Sequence, residues 1–287
     1  MPPFAIAATN HSAYFTQPLG DLPLGAKIKY GVIYDHPMVW AKKDKDHLAY
    51  PENTTTFMMD KIEKVMPSDV KEPQNSTGGY RSTHGNNRYI HTNKRQWLNK
   101  AGLNWYEPQH PADAPPTDAN TDLNCNGYDN FPGFLSCFTD KELAICKPTT
   151  LTVNKNPGDG AGQDTFTDKF FLPSLAEVGT VNPNQTTPAE GTKLAGFSDD
   201  SSRMTTLTAE ALANSGAAGA DCSAWHLRSP FGTVASDNYS AIMIYLAGGC
   251  HSLSMFHSNI GLRVACNLDS DALVTGGPDE DGCYTLV

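Results

Sequence analysis

One short segment carries the pattern that comes nearest to a metal site in this sequence. Asp122, Asn124 and Asn126 place oxygen ligands at positions 1, 3 and 5 of a calcium-binding loop, and Gly127 stands at position 6. Position 12 is Gly133, so the bidentate glutamate that completes such a loop is missing. An ordinary turn rich in Asn and Gly explains the same pattern. Calcium is therefore the one cofactor that the sequence leaves open, and no other is expected.

Cysteine, histidine and serine can serve nucleophilic catalysis, but none of them stands in a catalytic pattern here. The seven cysteines form no Cys-x-x-Cys pair, and the motifs Gly-x-Ser-x-Gly and His-Glu-x-x-His do not occur. We interpret His251 and His257 as surface or packed side chains rather than metal ligands. Free thiols are the expected state of the cysteines, with Cys250 and Cys266 as the first pair to test for a disulfide. We therefore expect no enzymatic activity.

The net charge and the length of the apolar runs indicate which classes of partner to expect. The 287 residues carry a formal net charge of -10, which repels phosphate backbones and argues against nucleic acid as a partner. No run approaches the ~18 consecutive apolar residues that cross a bilayer, so no membrane partner is expected. The first residues lack the charged and apolar regions of a signal peptide. We therefore expect synthesis in a cytoplasm, with action outside the cell still open after lysis.

Short elements joined by many turns must position these side chains. Residues 26–34 alternate and are rich in β-branched and aromatic types, which predicts a strand, and residues 261–268 predict another. Residues 92–101 predict a short helix with an apolar face. A Thr-x-x-Glu capping box predicts the start of a second helix at Thr139.

The chain divides into three parts. Residues 1–20 contain three prolines and predict an irregular arm that docks on its own domain or on a neighbouring subunit. Residues 21–274 show neither an internal repeat nor a clean linker, so we interpret them as one domain. Residues 275–287 form an additional C-terminal tail.

Five short segments occur in an order that resembles a known family. They are Gly85-Asn86-Asn87-Arg88-Tyr89, Arg95-Gln96-Trp97-Leu98-Asn99, Phe171-Leu172-Pro173-Ser174, Trp225-His226-Leu227-Arg228-Ser229-Pro230 and Gly261-Leu262-Arg263. Together they resemble a family of bacterial and phage domains of unassigned function, related in fold to C-type lectins and formylglycine-generating enzymes. The resemblance implies an α+β fold: a C-type-lectin-like domain with small twisted antiparallel sheets, two or more short helices and long irregular loops. The sequence departs from the family at Val264, where a proline is usual.

The resemblance implies structural roles for four large side chains. Trp97 and Trp225 belong to the matching segments and are expected in the core. Arg228 and Arg263 are interpreted as structural, because a guanidinium fork can lock loops through carbonyl or carboxylate oxygens. The alternative, in which one of these arginines grips an anionic ligand, stays open.

The resemblance also implies a ligand-binding face. In phage relatives of this fold, the stretch between the Arg-Ser-Pro turn and the Gly-x-Arg strand is exposed and contacts ligands. The corresponding residues here are Asn238, Tyr239, His251, Ser254, Phe256, His257 and Asn259. Their types combine rigid aromatic area with hydrogen bonding, as adaptable contact surfaces do. An ordinary polar hairpin would have the same composition.

These expectations combine into one functional hypothesis with two alternatives. The resemblance implies a phage protein on the virion surface, in a tail fibre, baseplate or capsid decoration, made in the bacterial cytoplasm without a signal peptide. It would bind a host-surface glycan or protein without catalysis, contact other virion proteins and form a homo-oligomer, with a trimer favoured. The alternatives are a purely structural role in the virion, and an enzyme of the formylglycine-generating type that uses Cys250 and Cys266.

Overall fold

The computed structural model describes residues 15–77, 79–160, 162–181, 188–214, 223–232 and 234–287. The strands in these ranges are β1 (Thr16–Pro18), β2 (Lys27–Ile33), β3 (His36–Lys45), β4 (Thr54–Met59), β5 (Lys64–Val65), β6 (Cys146–Lys147), β7 (Thr149–Asn154), β8 (Gln163–Asp168), β9 (Phe170–Phe171), β10 (Trp225–Pro230), β11 (Ser240–Ile244), β12 (Cys250–Ser254), β13 (Gly261–Leu262), β14 (Ala265–Asp269), β15 (Leu273–Thr275) and β16 (Cys283–Thr285). The α-helices are α1 (Arg81–His84), α2 (Asn93–Leu98), α3 (Asp140–Ile145) and α4 (Ala209–Ala213). Turns of 3-10 helix lie at Leu19–Asp21, Tyr89–His91, Phe134–Cys137, Pro157–Asp159 and Ser201–Arg203.

The larger sheet has seven strands and holds most of the core. Its order is β16-β2-β3-β4-β14-β6, and β9 also pairs with β14. Ile28 of β2 stands opposite Trp40 of β3, and both side chains are fully buried. Strand β4 is buried along its whole length because β3 and β14 flank it and both of its faces are covered.

Aromatic side chains fill the space beside this sheet. The Trp40 indole donates a hydrogen bond of 2.8 Å to the Tyr30 carbonyl, which satisfies its only polar atom. The Phe138 ring lies 4.7 Å from the Tyr30 ring and 4.6 Å from the Phe170 ring, centroid to centroid. Such contacts stabilise the core beyond simple burial and fix how β2, β3 and β9 pack together.

The smaller main sheet has five strands in the order β12-β11-β10-β13-β5. All six residues of β10 are buried, and β10 pairs antiparallel with β11 and parallel with β13. Strand β12 lies at one edge and is only partly buried. Of the two strands of the β11 and β12 hairpin, β11 is buried and β12 reaches the protein surface.

Both ends of the described chain are built into sheets. Strand β1 pairs antiparallel with β15, and β16 runs parallel to β2. Part of the predicted arm and part of the predicted tail thus take part in strand pairing, whereas residues 1–14 lie outside the described ranges. A fourth, two-stranded sheet joins β7 to β8. None of the described helices is long and apolar enough to cross a membrane.

The predicted α+β, C-type-lectin-like fold is wrong, because the described chain is sheet-rich and its α-helices have at most six residues. The capping signals themselves are present: the Thr139 and Glu142 box starts α3, and Thr92 caps α2. A cap only starts a helix, and its growth depends on an apolar stripe that packs. Ser174 and Glu177 exchange the same reciprocal bonds, yet the chain turns away at Gly179, where φ is +67°.

Candidate functional site

The predicted ligand face lies on the hairpin at the edge of the five-stranded sheet. Strands β11 and β12 pair from Ser240 opposite Ser254 to Ile244 opposite Cys250. Tyr239 comes directly before β11, and Phe256 follows shortly after β12. The register therefore places both aromatic side chains at the same end of the hairpin.

Four rings meet at this end, two from the hairpin and two from the loop around α1. The His84 ring lies 4.8 Å from the Phe256 ring and 5.2 Å from the Tyr239 ring. The Tyr80 ring lies 5.2 Å from Tyr239 and 5.6 Å from His84. Tyr80 is 54% exposed, and the other three are partly buried. We call Tyr80, His84, Tyr239 and Phe256 the aromatic face.

Hydrogen bonds hold the α1 loop against the hairpin. The Phe256 amide donates to the His84 carbonyl at 3.1 Å, and the Ser254 hydroxyl donates to the same carbonyl at 3.2 Å. The Arg81 guanidinium donates to the Asn238 carbonyl at 2.9 Å and forms a buried two-bond fork with Asp159 at 2.7 and 2.6 Å. A fork of this kind fixes orientation as well as distance. The rings are therefore held in place before any ligand arrives.

Gly79 allows the loop to approach the hairpin closely. Its φ is +68°, a conformation that side chains with a Cβ rarely adopt. A Cβ at this position would lie 2.4 Å from the Asn238 amide oxygen. Glycine is therefore required next to Tyr80 for the loop to keep its path.

The other residues of the predicted face take different positions. Asn238 is fully buried and contributes its carbonyl oxygen to the support beneath the rings. Ser254 supports the His84 carbonyl, as described above. His251 is exposed, but its ring lies 6.4 Å from Tyr245, toward the opposite end of the hairpin. The four-ring cluster thus includes Tyr239 and Phe256 and leaves His251 apart.

The calcium-like segment anchors the loop that follows β12, which also contains His257 and Asn259. The Asp122 carboxylate lies 2.9 Å from His257 Nδ1 and accepts the Ser258 amide at 2.8 Å. Burial acts to raise the pKa of Asp122, but hydrogen bonds from His257 and Ser258 outweigh it and lower the pKa. The Asn126 amide donates to the Ser258 carbonyl at 3.0 Å and to Asn259 Oδ1 at 3.4 Å. Asn124 itself is exposed, with a φ of +49°.

Among the described residues, a group of His, Asp and Glu side chains that could hold a metal ion lies elsewhere. Glu72, His110 and Asp113 each offer one ligand atom, and these atoms lie within 4.8 Å of one another. This group could not be predicted from the sequence, because Glu72 is far from the other two residues along the chain and stands in no motif with them.

Arg228 is buried, and its side chain bonds to other parts of the fold. Its guanidinium forms a fork with Glu177, with both hydrogen bonds at 2.6 Å, and it also donates to the Leu172 and Glu190 carbonyls. Burial acts to lower the pKa of Arg228, but the Glu177 carboxylate beside it raises the pKa above its ordinary value. This network ties β10 to the segment after β9.

The other side chains predicted to be structural are also buried. The Arg263 guanidinium lies 5.0 Å from the Trp225 ring and donates to the Met59 and Arg203 carbonyls, each at 3.0 Å. The Trp97 indole donates to the Pro132 carbonyl at 2.9 Å. The acceptors of these hydrogen bonds are all backbone carbonyl groups.

The cysteines considered for catalysis lie on different sheets. Cys250 is on β12 of the smaller sheet, whereas Cys266 is on β14 of the larger one. Burial raises the pKa of the Cys266 thiol well above its ordinary value, which disfavours the reactive thiolate. The six cysteines within the described ranges are free, and Cys222 lies outside them.

A serine–histidine contact exists in the interior. The Ser68 hydroxyl lies 2.6 Å from His226 Nδ1, and both residues are buried. Burial lowers the pKa of His226 well below its ordinary value, so the imidazole stays neutral. A substrate has no direct access to a pair buried in this way.

Tyr80 and His84, which form half of the aromatic face, could not be predicted from the sequence. Neither stands in a motif, and the contact that recruits them joins residues 170 positions apart, as in the bond from Ser254 to His84. The only local signal was the unusual concentration of glycine and polar residues around them. Such a signal predicts a loop but not its partner.

Comparison with known proteins identifies the family. A family model described as a domain of unknown function, DUF6273, matches residues 52–270, and the chain belongs to this family. The expected membership in a family of unassigned function is thereby confirmed. No curated protein and no solved structure gives a match.

Proposed function

We propose that this member of the family is a non-enzymatic binding protein that takes a neutral glycan of a host-cell surface on the aromatic face. The observation that carries the proposal is the cluster of four partly exposed rings, held by hydrogen bonds between the α1 loop and the hairpin. Rings already fixed in position lose little conformational entropy when a ligand arrives, which favours binding.

The chemistry of the face favours a sugar over other ligands. The C–H faces of a pyranose ring stack on aromatic rings, and its hydroxyls need nearby donors and acceptors, which Tyr and His supply. Lys71 adds a donor beside the face, since its Nζ lies 6.0 Å from the Phe256 ring. The formal net charge of -10 disfavours an acidic glycan, so we propose a neutral one.

We place this activity on the surface of a bacteriophage particle. The support is the sequence resemblance to bacterial and phage domains, and the setting suits the site. A shallow aromatic surface binds a single sugar weakly, and many copies on one particle raise the avidity without new contacts. A homo-oligomer, with a trimer favoured, would serve the same purpose.

A second candidate, a purely structural role in the virion, is favoured by a different observation. Val32, Leu273 and Val287 are exposed apolar side chains that line one concave surface where β2, β15 and the C-terminus meet. We call these three residues the terminal patch. Exposed apolar patches often mark protein interfaces. If assembly is the sole role, the Val32→Ser, Leu273→Ser variant should dissociate the oligomer in size-exclusion chromatography, and no glycan should bind.

The glycan proposal is tested on an array of neutral and acidic glycans with purified protein. The wild type is expected to bind neutral glycans, and a Tyr239→Ala, Phe256→Ala variant of unchanged thermal stability should bind at least about tenfold more weakly, since about 1.4 kcal/mol corresponds to a factor of ten. Tyr245→Ala is the matched control, because Tyr245 is 50% exposed on the same hairpin but lies outside the four rings. Equal binding by wild type and double variant would refute the assignment of the face.

The particle location needs its own test. Antibodies against the domain should label the surface of intact phage particles in immunogold electron microscopy, and free antigen should abolish the labelling. Labelling restricted to infected cells, with none on purified particles, would reject the virion setting while leaving the glycan test standing.

A further inference from the structure

Glu72, His110 and Asp113 form a compact group below the surface. The Glu72 residue and the Asp113 side chain are each 4% exposed, and the His110 side chain is 29% exposed. His110 Nδ1 lies 3.0 Å from Asp113 Oδ2, which also accepts the His110 backbone amide at 2.8 Å. One ligand atom from each of the three residues lies within 4.8 Å of the others, a separation that a single ion can bridge.

One carboxylate oxygen in this group has no partner. Asp113 Oδ1 is buried and makes no hydrogen bond to any part of the chain that the structure describes. A buried polar atom without a partner is energetically costly, and a charged group without one is more so. The side chain that carries this free oxygen and Glu72 line the same small cavity.

No guanidinium pairs with the carboxyl groups around this cavity in the described ranges. Three other well-buried carboxylates each form a fork with a guanidinium: Asp159 with Arg81, Asp168 with Arg95, and Glu177 with Arg228. Glu72, Asp113 and the neighbouring, fully buried Asp69 have no Lys or Arg nitrogen within 4.0 Å in the described ranges. In the described ranges the one ion-pair partner of these carboxyl groups is His110, which contacts Asp113, so a bound cation would supply a partner that the Lys and Arg side chains do not.

We propose that Glu72, His110 and Asp113 bind one divalent transition-metal ion, with Zn²⁺ the preferred occupant. Two carboxylates and one imidazole form a set of oxygen and nitrogen ligands that suits Zn²⁺, whereas Mg²⁺ and Ca²⁺ prefer oxygen alone. The free Asp113 oxygen supplies a ligand that the protein does not use otherwise.

The ion would fasten a long loop to the base of the aromatic face. His110 and Asp113 lie in the stretch between α2 and the turn at Phe134, in which no helix or strand is formed. Glu72 follows Lys71, the residue beside Phe256, and accepts hydrogen bonds from Asn86 at 3.3 and 3.2 Å. Loops of this length are uncommon in compact domains unless something pins them. The metal site stands on these contacts alone and does not depend on glycan binding.

Zinc binding by the metal-free full chain tests the site. Isothermal titration calorimetry with Zn²⁺ should give one strong equivalent for the wild type, and His110→Ala and Asp113→Asn should each weaken it at least about tenfold. Asp122→Asn is the matched control, because Asp122 makes a similar contact with His257 at 2.9 Å and should leave zinc binding unchanged. Zinc should also raise the melting temperature of the wild type more than that of His110→Ala.

Several results would overturn the assignment. Equal zinc affinity in the wild type and both variants would mean binding at other histidines or at cysteines. Thiolate charge-transfer absorption after Co²⁺ substitution would place the metal on cysteine. Binding of Ca²⁺ or Mg²⁺ in preference to Zn²⁺ would refute the transition-metal choice. If His110→Ala fails to fold, Asp113→Asn decides, since its amide oxygen can still accept the His110 backbone amide.

Discussion

Lys94 is a buried lysine whose charge the fold does not accommodate. It lies on α2, is fully buried, and its Nζ makes no hydrogen bond within the described ranges. Burial lowers the pKa of Lys94 from 10.5 to about 7. Between these values the unfolded chain holds a proton that the folded protein lacks, so the stability should rise with pH. We predict that Lys94→Met, which keeps the length and removes the charge, stabilises the protein near neutral pH.

The magnitude follows from the two pKa values. A difference from 10.5 to about 7, at about 1.4 kcal/mol for each pH unit, sets an upper limit of roughly 5 kcal/mol. At pH 7 the charge costs the wild type at most roughly 4 kcal/mol, and at pH 10 less than about 1 kcal/mol, because the unfolded lysine is then also losing its proton. Lys94→Met should therefore show its largest gain at pH 7 and a small one at pH 10.

Urea denaturation at pH 7 and pH 10 measures this difference in the free energy of unfolding. Comparing the two proteins at each pH cancels the titration of groups that they share. Lys141→Met is the control, because Lys141 is exposed on α3 and its replacement should change little at either pH. A gain in stability that is equal at both pH values, or a loss at pH 7, would show that the buried charge of Lys94 does not destabilise the fold.

Three further predictions concern the contacts that hold the fold and the site. Arg228→Ala should lower the free energy of unfolding by about 3–5 kcal/mol, because it leaves the Glu177 carboxylate buried and unpaired. Chemical denaturation measures this loss, and a value below about 1 kcal/mol would contradict the prediction. Thr139→Ala should cost about 1 kcal/mol by removing the α3 cap, and an unchanged thermal melt would show that the cap contributes nothing. Gly79→Ala should speed amide hydrogen exchange in α1, because Gly79 has a φ of +68° and lies too close to Asn238 for a Cβ to fit. Unchanged exchange would contradict the close approach of the α1 loop to Asn238.

Local features of the fold could be predicted from the sequence. The alternation that places Ile28 and Tyr30 in the core follows from the two-residue period of a strand, and β2 forms where this pattern stands. The capping box at Thr139 specifies its own geometry within four residues, and it is present as predicted. Signals of this kind depend only on near neighbours along the chain.

The architecture and half of the site could not be predicted, because they depend on pairing between distant segments. The parallel contact of β16 with β2 joins the two ends of the chain, and no periodicity reports such a partner. The wrong α+β expectation came from the family resemblance, and the capping signals, which suggested more helix than the packing sustains, did not correct it. Tyr239 and Phe256 were found through the family resemblance, whereas His84 joins them only because the hairpin binds its carbonyl.

Glycan binding at the aromatic face can be mapped by amide chemical shifts in NMR titrations of the protein with the strongest neutral ligand from the array. We expect the largest shifts at residues 79–85, Tyr239 and Phe256, with little change at the terminal patch. Largest shifts at the terminal patch, or no shifts from any glycan at millimolar concentration, would contradict the assignment of the aromatic face as the binding site.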